Sequence, residues 1–211
     1  MPPFTWPTEP VSIIAAFEGR HAAPEAGALL MWAVSSVAAL YYLADVDAFY
    51  DSSPAVAGWH SPDVIDVAHA RWAAGTSITT LDLCVAALGR AICKHRGSKE
   101  LDLGSFDVGR STKRPSKQQQ ALRSKLPSAA VQWLDDVFAD PKFTELKDAR
   151  DALTHRRLPR HFSLSIGSSG PDERIKLQVG ANRVKVADLV VEVRDLATTH
   201  VAALIQILPN L

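Results

Sequence analysis

Arg150, Asp151 and His155 stand within six residues of one another, close to the end of a predicted helix. Asp151 and His155 are four residues apart, so they share one helix face and can form a hydrogen bond. The carboxylate and the helix C-terminus both favour a protonated imidazole. Arg150 and His155 differ by about 140° around the helix axis, so they converge only if the long arginine swings and the last turn frays. Further positive charge follows at Arg156, Arg157, Arg160 and His161.

This combination of side chains suits the cleavage of RNA by its own 2′-hydroxyl group. Histidine exchanges protons near neutral pH, and arginine stabilises the negative charge that builds up on a phosphate. The reaction requires no metal ion. A simpler interpretation stays open, because cations at a helix C-terminus also satisfy its last carbonyl groups.

A second basic stretch runs from Gly109 to Leu126 and contains no acidic residue. Its six cations are Arg110, Lys113, Arg114, Lys117, Arg123 and Lys125. These cations can contact RNA phosphates, or they can belong to a solvated loop or a short exposed helix. No aromatic residue is interleaved with them, so base stacking is not expected there.

The overall charge balance limits the classes of function. The 211 residues include 23 basic and 23 acidic side chains and are 47% apolar, which excludes a uniformly basic coat protein, a collagen and a wholly disordered chain. Residues 1–96 carry 5 basic and 9 acidic side chains, whereas residues 97–211 carry 18 and 14. An anionic ligand is therefore expected to bind the second half of the chain.

Metal and cofactor chemistry has little support in the sequence. There is no glycine-rich phosphate loop, HExxH, paired CxxC or GxSxG motif. Two sets of side chains have the residue types of a metal site, but each has a simpler explanation. A solvated helix face explains Asp63, Asp66 and His69, and a frayed helix end explains Asp45, Asp47 and Asp51. Cys84 and Cys93 fall in one predicted helix, too far apart for a disulfide, and are expected to be core thiols. We expect no metal and no cofactor.

The spacing of apolar residues predicts a mainly α-helical bundle. Two long antiparallel helices are expected at Pro24 to about Tyr50 and at about Ser61 to His95, followed by shorter helices at about 128–139 and 141–156. After Pro159 the period changes to two, which predicts a β-hairpin from residues 161–166 and 174–179, with a short third strand near 183–186. A last helix is expected at about 187–208.

The domain organisation follows from the same pattern. We expect a proline-rich N-terminal arm over residues 1–21, with a short helix at 11–18, and a single domain over residues 22–211. That domain includes a basic polar insert at 97–126 and the hairpin region at 161–186.

The segment from Ala26 to Ala44 has no formal charge over 19 residues, which is close to the length of a membrane-spanning helix. Six of these residues are alanine, and no Lys/Arg cluster flanks the segment. The N-terminus also lacks the basic and apolar regions of a secretory signal. We therefore expect a buried helix of a cytoplasmic protein that has no membrane partner.

The run Arg150-Asp151-Ala152-Leu153-Thr154-His155 resembles the signature of the HEPN superfamily, which is an arginine, a polar residue, three variable residues and a histidine. The predicted order of elements over about residues 22–208 is similar to that family as well, although the basic stretch and the N-terminal arm have no counterpart. The resemblance implies that Arg150 and His155 form a catalytic pair and that Asp151 occupies the polar position. It implies a metal-independent endoribonuclease, often a toxin or anti-phage effector, whose two copies bring their motifs together in one cleft.

A second hypothesis from a different class is a non-catalytic HEPN-like module that binds RNA, a nucleotide or a protein partner. A toxin would be expected to have an antitoxin or a small nucleotidyltransferase as its partner. The sequence alone does not separate a nuclease from such a module, and a membrane-associated or unrelated helical protein is a third alternative.

Overall fold

The computed structural model describes residues 6, 9–52, 62–96, 101–109, 114–154, 176–179 and 182–211. This part of the chain is mainly helical, which confirms the predicted fold class at that level. Its α-helices are α1 (Pro10–His21), α2 (Pro24–Ser52), α3 (Pro62–Ala91), α4 (Lys117–Arg123), α5 (Ser128–Ala139), α6 (Pro141–Thr154) and α7 (Val186–Ile207). A short 3₁₀ helix spans Leu103–Ser105, and another spans Leu208–Asn210.

Two four-residue strands, β1 (Lys176–Val179) and β2 (Asn182–Lys185), pair antiparallel with Leu177 opposite Val184. β2 corresponds to the short third strand that the sequence predicted. The other predicted strand, at 161–166, lies outside the described residues.

Proline marks where several helices begin. α1, α2, α3 and α6 each start at a proline. An N–H group in the first turn has no acceptor within the helix, so a proline at this position loses no hydrogen bond. α3 ends at Ala91, four residues before the predicted end. There Lys94 adopts a left-handed conformation with φ of 51°, and the His95 N–H donates to the Gly89 carbonyl at 2.9 Å. This cap forms without a glycine, whereas the predicted end relied on Gly97.

α2, α3 and α7 surround the main core. Fully buried side chains from these helices include Leu30, Leu40, Ile78, Leu88, Val193 and Leu204. Glu25, at the start of α2, lies 3.6 Å from Arg90 near the end of α3. Near the opposite end of the same pair, Asp47 of α2 accepts a hydrogen bond from His69 of α3.

The N-terminal residues contribute to this core as well. α1 is longer than the helix predicted at 11–18, and its Ile14 and Phe17 are buried. Arg20 donates to the Leu208 carbonyl at 2.6 Å, so α1 holds the end of the chain against the bundle.

The two cysteines are free and buried, as expected of core thiols. The prediction that one helix holds both is wrong, because α3 ends before Cys93. The Cys93 thiol donates to the Leu122 carbonyl at 3.4 Å and so links the end of α3 to α4. Burial raises the pKa of the Cys84 thiol to about 12.

The described residues of the basic insert include apolar side chains that pack into the core. Leu101, Leu103, Phe106 and Leu122 are buried against the bundle, although the surrounding sequence is polar. α4 itself is a short helix whose first residues are exposed, in agreement with one of the predicted alternatives.

Among the residues that the structure describes, two helices are long and apolar enough to cross a membrane, by length and composition only. They cover Pro24–Phe49 of α2 and Asp66–Ala91 of α3. Inside this protein, 72% of the apolar window of α3 is buried but only 44% of that of α2, so much of α2 faces outward.

Candidate active site

α6 carries the first half of the motif and is held in a fixed rotation by its apolar residues. Phe143 and Leu146 are buried where α6 packs against α3 and α7. Arg150 follows seven and four residues after these two, so it leaves the helix on the same, inward side. Arg150 is accordingly only half-exposed, and its Nε atom is shielded from solvent.

Asp82 of α3 lies close enough to Arg150 for the two charges to interact. Burial raises the pKa of the Asp82 carboxyl most strongly, and Asp102 raises it further. The N–H group of Leu103 donates to Asp82 Oδ1 at 2.9 Å and lowers that pKa, as do Arg150 and Lys147 to smaller extents. Burial therefore raises the pKa of Asp82 by more than the Arg150 guanidinium lowers it.

The histidine of the motif is not among the residues that the structure describes. Asp151 is in the last turn of the helix, and α6 ends at Thr154, directly before His155. His155, Arg156, Arg157, Arg160 and His161 lie outside the described residues, so the approach of Arg150 to His155 stays a prediction.

The basic stretch divides into structural and exposed cations. Arg123 donates to the Phe106 carbonyl at 3.2 Å and pairs with Asp135, so it holds the insert against α5. Arg114 and Lys117 are exposed at the start of α4 and remain accessible to a phosphate. Arg110 and Lys113 lie outside the described residues.

The start of α4 is fixed by a capping box. The Ser116 hydroxyl accepts from the Gln119 N–H at 3.1 Å, and the Gln119 side chain accepts from the Ser116 N–H at 2.7 Å. These bonds hold Lys117 at a defined helix start.

The two sets of residues that the sequence analysis rejected as metal sites are joined by a hydrogen bond between α2 and α3. Asp47, from one group, is buried and its Oδ1 lies 2.7 Å from His69 Nδ1, from the other group. Among the described residues, no group of three or more His, Cys, Asp or Glu side chains is placed to hold a metal ion. The sequence did not reveal this pair, because spacing along one helix relates only residues of the same helix. The signal that could have found it is that both residues lie near the same predicted inter-helix connection.

Comparisons with known proteins give no match: no family model, curated protein or solved structure is matched by this chain.

Proposed function

We propose that the protein is a metal-independent endoribonuclease of the HEPN type, acting in the cytoplasm as a homodimer and serving as a toxin or defence effector. The observation that carries this proposal is the arginine-to-histidine spacing: Arg150 lies in the last turns of α6, and His155 is five residues further along the sequence.

The arrangement of elements supports the same proposal. α2 and α3 are in contact at both ends, through Glu25 with Arg90 and through Asp47 with His69, as an antiparallel pair would be. A β-hairpin between the motif helix and the closing helix α7 completes the proposed architecture, and β1 and β2 lie in that interval.

In the proposed mechanism, His155 takes the proton of the 2′-hydroxyl group or gives a proton to the leaving 5′-oxygen, and water exchanges the other proton. Arg150 stabilises the negative charge that builds up on the non-bridging oxygens of the phosphate. The 2′-oxygen forms a bond to the adjacent phosphorus and the bond to the 5′-oxygen breaks, so the products are a 2′,3′-cyclic phosphate and a 5′-hydroxyl. Asp151 orients the imidazole. The remaining cations bind the RNA backbone: Arg156, Arg157, Arg160, His161, Arg110, Lys113, Arg114 and Lys117.

One observation favours the second candidate, a non-catalytic HEPN-like module that binds RNA, a nucleotide or a protein. Arg150 leaves α6 on its packed side and its Nε is shielded from solvent, which is also how an arginine that supports the fold is placed. Such a module would bind its RNA, nucleotide or protein partner without cutting RNA.

The test is an RNA-cleavage assay of the purified chain with single-stranded RNA in EDTA. We expect wild-type protein and the matched control His95→Ala to leave 2′,3′-cyclic phosphate ends, and His155→Ala to leave the RNA intact while remaining folded. Cleavage that persists in His155→Ala, or that needs added divalent metal, contradicts the mechanism. Binding without cleavage across varied RNAs would establish the module instead.

A further inference from the structure

The 3₁₀ helix at Leu103–Ser105 joins the start of α4 to α3. The Gln119 side chain accepts from the Ser116 N–H and donates to the Gly104 carbonyl at 2.9 Å, so the first turn of α4 lies directly against this short helix. The Leu103 N–H donates to Asp82 Oδ1 at 2.9 Å, which attaches the same short helix to α3. The first turn of α4 is therefore held beside Asp82 by two successive contacts.

The motif helix α6 approaches the same carboxylate. Lys147 and Arg150 both lie close enough to Asp82 for their charges to act on it. The two cations are three residues apart, so they share one face of α6. Phe143 and Leu146 precede them by four residues each and are buried where α6 packs against α3. Asp82 thus has the basic insert and two cations of the motif helix as neighbours, although these regions are separate in the sequence.

Lys147 has no ion-pair partner among the residues that the structure describes, and it is half-exposed. Lys142 on the same helix differs, because its Nζ lies 2.7 Å from Glu192 Oε1 of α7. A half-exposed ammonium group without a contacting carboxylate is available to an anionic ligand. Lys147 therefore offers a binding group beside Arg150 that the motif itself does not include.

The first turn of α4 offers two more cations. Arg114 and Lys117 are exposed and lie within two residues of Ser116, whose N–H is bound by Gln119. The other end of α4 is held as well, since Arg123 donates to the Phe106 carbonyl at 3.2 Å. Both exposed cations therefore have a fixed position next to the 3₁₀ helix.

We propose that Lys147 is a further phosphate-binding residue and that one single strand of RNA runs from the first turn of α4, past the 3₁₀ helix, to Lys147 and Arg150. We call this path the α4–α6 track and define it by Arg114, Lys117, Lys147 and Arg150. The proposal rests on the nuclease of the proposed function and adds the route along which its substrate lies.

The charges of the α4–α6 track fit the backbone of a single strand. RNA carries one negative charge per nucleotide, and cations spread over two helices can contact several phosphates of one strand. A single strand is flexible enough to follow such a path. Contacts to phosphates fix the position of the strand but read no base, so the track itself selects for single strands and not for a sequence.

Two carboxylates lie beside the track, and the 3₁₀ helix binds both. Asp102 Oδ1 accepts from the Ser105 N–H at 2.9 Å and from its hydroxyl at 3.0 Å. Asp82 is half-buried and accepts from the Leu103 N–H. Hydrogen bonds from N–H groups to these carboxylates offset part of their repulsion of a phosphate.

The experiment measures binding of a fluorescent 2′-O-methyl uridine dodecamer by anisotropy, with Lys147→Gln against the matched control Lys142→Gln. The blocked 2′-oxygen cannot attack phosphorus, so binding is observed whether or not the protein is a nuclease. Lys147→Gln should raise the Kd roughly 3- to 10-fold and lower the slope of log K against log salt by about 0.7–1. Lys142→Gln and Lys147→Arg should both bind as wild type does.

The double variant Lys117→Gln/Lys147→Gln tests whether one strand occupies both ends of the track. Contacts to the same strand add, so the salt slope should fall by about twice the change in Lys147→Gln. Two separate RNA sites would instead give a change no larger than that of one single variant. That result overturns the proposal, and so does a folded Lys147→Gln protein that binds normally or a wild type that does not bind the dodecamer.

Binding and cleavage distinguish this proposal from the nuclease. A protein that binds the dodecamer through Lys147 but cuts no RNA removes the proposed activity and keeps the α4–α6 track. A protein that cuts RNA in EDTA with unchanged KM in Lys147→Gln removes the track and keeps the activity. If both hold, Lys147→Gln should raise KM and leave kcat unchanged, because Lys147 contacts a phosphate equally before and during the reaction.

Discussion

Residues 26–44 of α2 contain no charged side chain, whereas residues 148–160, around the end of α6, contain six in thirteen. The first segment exposes Trp32 and Tyr42 on a helix of which less than half of the apolar window is buried. In the second, Arg150 lies on the packed side of α6, and three more arginines follow in the sequence. The proposed contacts with RNA phosphates therefore belong to the charged region, and substitutions of cations test them.

Among the substitutions of described residues, Arg150→Ala is expected to have the largest effect. Loss of one group that stabilises charge in the transition state costs about 2–4 kcal/mol, so kcat/KM for RNA cleavage should fall roughly 30- to 1,000-fold. Arg96→Ala, which removes an exposed arginine far along the chain from the motif, should cleave RNA at the wild-type rate. The molar mass of both variants should equal that of wild type. An Arg150→Ala protein that cleaves normally would mean that this arginine serves the fold and not the reaction.

A smaller effect is expected from the double variant Arg114→Glu/Lys117→Glu. Each phosphate contact contributes about one unit to the slope of log K against log salt, so the slope for RNA binding should fall by about two. Both side chains are exposed at the start of α4, and neither is needed for the capping box there. The cleavage products should not change.

Arg71→Glu is the matched charge reversal on α3. It should leave the salt slope of RNA binding unchanged, since Arg71 is exposed in the half of the chain that carries the excess of acidic residues. If Arg71→Glu altered RNA binding as much as the α4 variant did, the assignment of the phosphate contacts to the charged region would be wrong.

Much of the helical framework could be predicted from the sequence because its signals are local. Pro24, Pro62 and Pro141 begin helices, and apolar residues at helical spacing define the buried side of each. The end of α3 was misplaced because Lys94 takes a left-handed conformation that usually belongs to glycine. Local patterns give no information about such an exception.

The contacts that join distant parts of the chain could not be predicted. Phe106 lies in a polar insert, yet it is completely buried, and Arg123 binds its carbonyl. Asp82 lies in the middle of α3 and gave no sign that it neighbours both Leu103 and Arg150. These arrangements depend on how helices pack, and a single sequence does not specify that packing by periodicity. His155 stays a prediction from spacing and resemblance.

The smallest predicted effect concerns Asp82 and decides how Arg150 is used. Burial holds the pKa of Asp82 above its usual 3.8, so the folded protein binds this proton more tightly than the unfolded chain does. Between pH 3.8 and that raised pKa, the contribution of Asp82 to the free energy of unfolding therefore falls as pH rises.

Asp82→Asn should match wild type in acid and become more stable than wild type at neutral pH, because Asn still accepts from the Leu103 N–H and carries no buried charge. Urea denaturation across this pH range measures the difference, with the exposed Asp45→Asn as the control that should show none. The opposite sign, a variant less stable than wild type at neutral pH, would mean that attraction to Arg150 exceeds the cost of burial. Arg150 would then be an anchor of the α3–α6 contact, which is the role expected in a non-catalytic module.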